Sequence, residues 1–123
     1  MAKIRIAWRS GEVTADLKDT PTAKKLLAAL PCQARANTWG EEVYFNVPVK
    51  AQLESDALQV VDAGTVCFWV DGNALALPFG PTPISKGNEC RLVSKCNLLG
   101  KITGDPHQLK SVRDGDEIRI AAL

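Results

Sequence analysis

Apolar and polar residues alternate along much of the chain, and this pattern predicts a mainly β structure. The alternation is regular over residues 3–9 and 12–17, which a Ser-Gly pair separates. Because successive side chains of a strand point to opposite faces, each segment is typical of a half-buried strand, and together they predict a hairpin. The same alternation predicts further strands over residues 32–38, 41–47, 96–103 and 117–122.

The most apolar segment, residues 65–85, predicts a second hairpin at the centre of the fold. Its two apolar runs flank Asp71-Gly72, and Asp-Gly between such runs favours a tight turn in which both central residues have positive φ. The runs are almost continuously apolar, so we expect the hairpin to be buried on more than one side. The chain then leaves through a loop stiffened by three prolines, residues 78–83.

Two helices are expected, one early in the chain and one just before the last strand. Thr20 is a suitable N-cap and Pro21 a suitable first helical residue, and apolar residues follow at helical spacing until Pro31 ends the helix. Asp105 and Pro106 repeat this start signal for a shorter helix. Both helices are therefore indicated by local capping chemistry.

The number of short strands predicts a closed barrel. Seven or eight strands in one domain, residues 1–123, need their edges closed, and we find neither a linker nor an internal repeat. Two segments are interpreted as irregular. Residues 49–61 read as a loop with a short helical turn, and residues 86–95 as an exposed loop.

The charge balance excludes several classes of partner. The 123 residues include 15 basic and 14 acidic ones, spread along the chain, for a net charge of +1. Without a basic stripe, neither nucleic acid nor a membrane surface is an expected partner. No apolar run is long enough for a signal peptide or a membrane span, so we expect a cytoplasmic protein; the sequence leaves the oligomeric state open.

The cysteines predict neither disulfides nor a metal site. Cys32, Cys67, Cys90 and Cys96 form no C-x-x-C pair, and His107 is the only histidine. Metal ligation needs closer spacing or histidine partners, so we expect no metal and no other cofactor. The four thiols are interpreted as reduced residues of the core or loops.

Three motifs carry a resemblance to a known family. The segments N-T-W-G-E-E-V-Y-F (37–45), G-T-V-C-F-W-V-D-G-N-A-L-A-L-P-F-G-P-T-P (64–83) and L-L-G-K-I-T-G-D-P (98–106) are similar to those of small prokaryotic cyclophilin-like proteins of unassigned function. The similarity extends over nearly the whole chain. It implies a closed eight-stranded barrel with a helix at each open end.

The resemblance also implies one catalytic candidate. Cyclophilins are peptidyl-prolyl isomerases, and their arginine over a hydrophobic pocket lowers a barrier of ~18–20 kcal/mol by binding the twisted amide best. Arg35 stands in a similar place, at the end of Cys32-Gln33-Ala34-Arg35, with Gln33 and Ala34 where cyclophilins have an aromatic residue and a histidine. A divergent isomerase using Arg35 is therefore one hypothesis.

The other hypothesis is a binding module that recognises a small molecule or an extended, proline-containing peptide in a pocket beside the barrel. Large rings at strand ends next to glycine or proline are suited to a pocket rim. Glu41 and Glu42 point to opposite faces, so only one of them can enter the pocket. The expected rim consists of Trp39, Glu41, Tyr44, Trp69, Phe79 and Thr82, with Arg35 as a polar anchor.

A third role stays open. Cyclophilin-like barrels also occur within amide- and urea-processing enzymes, and a chain of this kind acting as an accessory domain would expose an apolar patch. A hydrolase with its own nucleophile is not expected, because the sequence has no G-x-S-x-G motif.

Overall fold

The computed structural model describes residues 2–123, in which ten strands, one α-helix and one 3₁₀-helix follow one another. The described order is β1 (Ala2–Trp8), β2 (Gly11–Leu17), α1 (Pro21–Ala29), β3 (Cys32–Arg35), β4 (Asn37–Thr38), β5 (Glu42–Asn46), β6 (Leu58–Val61), β7 (Thr65–Trp69), β8 (Ala74–Pro78), β9 (Cys90–Thr103), the 3₁₀-helix (Pro106–Ser111) and β10 (Glu117–Ala122).

The strands form one rolled antiparallel sheet. Its order is β3-β10-β1-β2-β9-β7-β8-β5-β4, and β6 pairs with β9 off this path. The two edge strands, β3 and β4, are separated in the chain only by Ala36, so the edges of the sheet meet there and the barrel is nearly closed. The expected mainly β barrel with two short helices is confirmed. The short strands β4 and β6 add to the eight that the resemblance implies.

The barrel interior is filled by the apolar half of each alternating pattern. Fully buried side chains from β1, β2, β5, β7, β8 and β10 meet there, and Phe45 and Phe68 are the largest of them. Both faces of the β7–β8 hairpin are covered, as its continuous apolar sequence predicts. Val66 and Leu75 face the interior, whereas Cys67 and Ala76 belong to a second apolar cluster with Leu92 and Cys96.

The turn of this hairpin differs from the expectation. The connection between β7 and β8 is a four-residue loop, residues 70–73, rather than a two-residue turn at Asp71-Gly72. The N–H of Asn73 donates to the carbonyl of Val70, and the positive φ falls on Asn73, at 48°. Asparagine is one of the few residues with a side chain that adopts this conformation readily.

Two segments that the sequence predicted to be irregular contain strands. β6 lies within residues 49–61, and β9 begins at Cys90, inside the expected exposed loop over residues 86–95. The prediction was wrong here because the early part of β9 pairs with β6 rather than continuing along β7, and the register shifts within the β6–β9 pair. Burial of Leu92 and Cys96 follows from this tertiary placement, not from a local alternating pattern.

Both helices begin where the capping residues predict. The Thr20 side chain accepts a hydrogen bond from the Ala23 N–H at 3.1 Å, and Pro21 is the first helical residue. The Asp105 side chain caps the second helix, which is of the 3₁₀ type, by accepting from the His107 N–H at 2.9 Å. Neither helix of residues 2–123 has the length and apolar character needed to cross a membrane.

A buried amide joins three parts of the fold. Asn97 on β9 is completely buried. Its Nδ2 donates to the Thr22 hydroxyl on α1 and to the Gln52 carbonyl, both at 2.9 Å, and its Oδ1 accepts from the Glu54 N–H at 2.7 Å. Asn97 therefore ties the helix and the loop after β5 to β9.

Substituting this residue should cost stability. Asn97→Ala removes three hydrogen bonds, one of them to the buried Thr22 hydroxyl, and opens a small cavity, so we expect the free energy of unfolding to fall by about 3 kcal/mol. Urea denaturation measures it. Asn88→Ala, at an exposed loop position, is the matched control and should stay within about 0.5 kcal/mol of the wild type. A loss below about 1 kcal/mol for Asn97→Ala would contradict this account.

Candidate functional site

The outer face of the barrel carries an apolar pocket beside the first half of β9. Residues of β5, β7 and β8 that alternate with the core residues point outward here, and the β9 segment covers part of them. The cavity has a volume of about 190 Å³. Its lining consists of Trp39, Glu42, Tyr44, Trp69, Ala76, Leu92, Val93 and Cys96.

The register of the strands explains why a cavity exists at this position. Tyr44 on β5 is paired with Ala76 on β8, and Ala76 is paired in turn with Cys67 on β7. Because paired residues project to the same face, Ala76 lies on the outer face beside the large ring of Tyr44. Its single methyl group leaves space that a larger aliphatic side chain would fill.

Aromatic rings form two walls of the pocket at right angles to each other. The ring centroids of Tyr44 and Trp69 are 6.4 Å apart, with an interplanar angle of 89°. The Trp69 ring packs over Gly72 in the hairpin loop, which fixes its orientation. The indole Nε1 of Trp69 is buried and has no hydrogen-bond partner within residues 2–123. One side chain of the lining therefore has a buried donor without an acceptor.

The pocket also contains a buried carboxyl group. Glu42 is only 5% exposed, and its Oε1 has no hydrogen-bond partner among the residues described. Burial raises the pKa of Glu42 to about 7, because the charged form loses its hydration in the apolar surroundings. The carboxyl group is therefore poised to change its charge near neutral pH.

The thiols near Glu42 are not activated as nucleophiles. Burial raises the pKa of Cys96 to about 12 and that of Cys67 well above its usual value, and the nearby Glu42 carboxylate acts in the same direction. The pKa of Cys90 is raised by burial as well. Since the thiolate is the reactive form, these residues serve as small apolar side chains.

Three of the residues predicted for the rim come together in this pocket: Trp39, Tyr44 and Trp69. Of the two adjacent glutamates, Glu42 enters it. Glu41 points to the other side, where its carboxylate lies 3.8 Å from the ammonium group of Lys110. The structure therefore separates the two carboxyl groups, as alternation along a strand requires.

Two other predicted residues lie elsewhere. Phe79 is 5% exposed and packs into the barrel core, and its ring also meets His107 edge-on at 6.4 Å. Thr82 is buried, and its hydroxyl donates to the Arg91 carbonyl while its N–H donates to the Ser85 hydroxyl. Both residues shape the loop after β8 rather than lining the pocket.

Arg35 also lies away from the pocket. Its side chain is exposed, and Nη1 donates to the Gly115 carbonyl at 3.1 Å. The groove around Arg35 has a mixed lining of charged and apolar side chains. It consists of Ala7, Trp8, Arg9, Gly115, Asp116, Glu117 and Arg119. The structure does not bring Arg35 together with the aromatic residues.

Sequence reasoning did not place Glu42, Ala76 or the β9 residues in the site. For Glu42 a signal existed, because it lies two positions before Tyr44 and therefore on the same face of β5. For Leu92, Val93 and Cys96 there was none, since their position depends on the course of β9 over the barrel. Within residues 2–123 no cluster of three potential metal ligands is formed.

Gly72 should control the orientation of Trp69. A Cβ at position 72 would lie 2.3 Å from the Trp69 ring, so Gly72→Ala must displace the indole from its wall of the pocket. We expect an altered Trp69 indole N–H resonance and a loss of stability of about 2 kcal/mol. Asp71→Ala, at the adjacent exposed position, is the control and should change neither. An unshifted Trp69 resonance in Gly72→Ala would show that the ring is not held by this contact.

Comparison with known proteins identifies the family. A family model described as Cyclophilin-like matches residues 2–121. The chain is also similar to the solution structure of the hypothetical protein AF2241 from Archaeoglobus fulgidus, with 34% sequence identity and a TM-score of 0.85, over 99% of this chain and 95% of that one. None of the curated proteins is a significant match. The resemblance carried by the three sequence motifs is thus confirmed, and the chain belongs to the cyclophilin-like family.

Proposed function

We propose that the chain is a binding module that takes a small organic ligand into the aromatic pocket on the outer face of the barrel. One observation carries the proposal: two residues that line the same apolar cavity, Glu42 and Trp69, each have a buried polar atom, Oε1 and Nε1, that is unpaired among the residues described. An unpaired buried polar group costs about 1–3 kcal/mol, which a ligand with matching groups would recover.

The pocket has the composition of a ligand site. Apolar and aromatic walls supply contact area, and a small number of polar groups fix the orientation of the ligand. At about 190 Å³ the cavity suits a compact molecule, and an extended peptide would place one side chain in it. A cytoplasmic location stays a prediction, and the four free cysteines are in keeping with it.

A fragment screen with a blocking variant tests this proposal. Fragments that raise the melting temperature of the wild type should lose this effect in Ala76→Leu, because the longer side chain fills the cavity. Ala28→Leu, at an exposed position of α1, is the matched control and should keep the effect. Fragments that stabilise Ala76→Leu as well as the wild type would place the binding elsewhere, and a screen without hits would overturn the proposal.

The alternative, a divergent peptidyl-prolyl isomerase using Arg35, has less support. Such catalysis needs a free guanidinium group beside an apolar pocket for the proline ring. The Arg35 guanidinium group is bound to the Gly115 carbonyl, and Arg9, Glu117 and Arg119 place further charges in the same groove. An isomerisation assay on an X-Pro peptide with the wild type and Arg35→Ala decides the matter. Acceleration that disappears in Arg35→Ala would favour the isomerase over a purely binding role.

A further inference from the structure

We propose that the outer pocket selects small organic ammonium ions that also carry a hydrogen-bond acceptor. This inference rests on the proposed binding function and assigns the class of ligand. It follows from the chemistry of the walls, which consist of aromatic rings, one carboxyl group and one buried, unpaired indole N–H, with no competing cation in the lining.

The aromatic rings favour a cation. Trp39, Tyr44 and Trp69 contribute three rings to one small cavity, and the planes of Tyr44 and Trp69 are perpendicular. The face of an aromatic ring attracts an alkylammonium group through its quadrupole, and tryptophan does so best. Apart from Glu42, the other lining residues are aliphatic or carry a protonated thiol. They shield part of the cavity from bulk water, which would otherwise weaken the attraction between the rings and a cation.

Glu42 supplies the counter-charge. Its Oε1 is unpaired, and no lysine, arginine or histidine of residues 2–123 contributes to its pKa. A ligand that enters the pocket can therefore supply the partner of this carboxylate. An ammonium group with a remaining N–H both neutralises the charge and donates the missing hydrogen bond.

Trp69 selects the second group of the ligand. Its buried Nε1–H needs an acceptor, such as a hydroxyl or carbonyl oxygen attached near the nitrogen. A purely apolar molecule would leave both Glu42 and Trp69 unpaired, and an anion would be repelled by the ionised carboxylate. Amino alcohols and amino amides satisfy both groups at once.

Binding of an ammonium ion should depend on pH through Glu42. The other titratable groups that face it are Tyr44 on its own strand, Cys67 on β7, and Cys90 and Cys96 on β9. The pKa values of these thiols are raised, so they stay uncharged near neutral pH. With the pKa of Glu42 at about 7, its ionised fraction rises roughly tenfold between pH 6 and pH 8, and the apparent affinity should rise by the same factor.

Two probes of the same shape, one charged and one neutral, isolate the effect of charge on binding. Dimethylethanolamine is a protonated amino alcohol in this pH range, and isoamyl alcohol is its uncharged analogue in which carbon replaces nitrogen. Each is titrated at pH 6 and at pH 8, and the Trp69 indole N–H resonance is followed by two-dimensional NMR, which detects weak binding at this one site. The proteins are the wild type, Glu42→Gln, and Glu41→Gln as the matched control, because the Glu41 carboxylate points away from the pocket.

We expect the amine to bind the wild type and Glu41→Gln roughly tenfold more tightly at pH 8 than at pH 6. At pH 8 the amine should bind Glu42→Gln at least tenfold more weakly than it binds the wild type, and its binding to Glu42→Gln should not depend on pH. The alcohol should bind all three proteins about equally. A Trp69 resonance that responds to the alcohol but not to the amine would overturn the ammonium assignment and leave the pocket as a site for neutral ligands. Response to neither probe would also overturn the assignment, and the fragment screen with Ala76→Leu would then decide separately whether the pocket binds anything.

Discussion

Gly100→Ala is expected to destabilise the protein by about 4 kcal/mol or more, or to prevent folding altogether. Gly100 lies at the point of β9 where it pairs with Leu17 of β2 and Val66 of β7. A Cβ at this position would lie 1.9 Å from the carbonyl oxygen of Asp16, far inside the contact distance of a carbon and an oxygen atom. Because the obstacle is backbone rather than a flexible side chain, relief requires β2 and β9 to move apart.

The loss of stability in Gly100→Ala should appear in urea denaturation, or as the absence of the native circular dichroism spectrum if the variant does not fold. Gly11→Ala is the matched control, since the three atoms nearest to its added methyl group all belong to the Trp8 ring, the first at 3.2 Å. We expect this control to cost about 1 kcal/mol or less. If Gly100→Ala were as stable as Gly11→Ala, the close approach of β2 to β9 would be refuted.

The parts of the fold that sequence reasoning found are those that local chemistry determines. Alternation predicted β1, β2, β5 and β10, and the capping residues Thr20 and Asp105 marked both helix starts. β6 and the first half of β9 were missed because their residues are ordered by lying across the outside of the barrel. No short window of sequence contains that information.

In the candidate site, too, some residues could be predicted from local sequence and others only from the fold. Trp39 and Trp69 were predicted for the rim because large rings at strand ends are suited to one. Tyr44, in the middle of β5, was predicted with them as part of one aromatic lining. Phe79 was placed on the rim by its glycine and proline neighbours, yet it fills the core, because it continues the alternation of the interior residues Leu75 and Leu77. The choice between Glu41 and Glu42 depended on which face of β5 points to the pocket. The sequence allows either face, and the pairing of β5 with β8 in the folded protein places Glu42 there.

Glu42 should make the stability of the protein fall as the pH rises through neutrality. Its pKa is about 7 in the folded protein and 4.5 as an ordinary glutamate, so between these values the folded state binds more protons than the unfolded state. Stability then decreases with rising pH, by about 3 kcal/mol in total, and most of this decrease falls between pH 5 and pH 8. Glu42→Gln is neutral at every pH and should lack this decrease.

Urea denaturation at pH 5 and pH 8 measures the effect as the difference between the wild type and Glu42→Gln, which removes contributions from all other titrating groups. Glu41→Gln, whose parent carboxylate lies beside Lys110 on the other face, should follow the wild type. Parallel profiles for the wild type and Glu42→Gln would show that Glu42 ionises without cost and is not buried as described. If the profiles diverge as expected, the Glu42 carboxylate destabilises the empty pocket at pH 8. A bound ammonium ion would neutralise this same carboxylate. Dimethylethanolamine should therefore stabilise the wild type more at pH 8 than at pH 5.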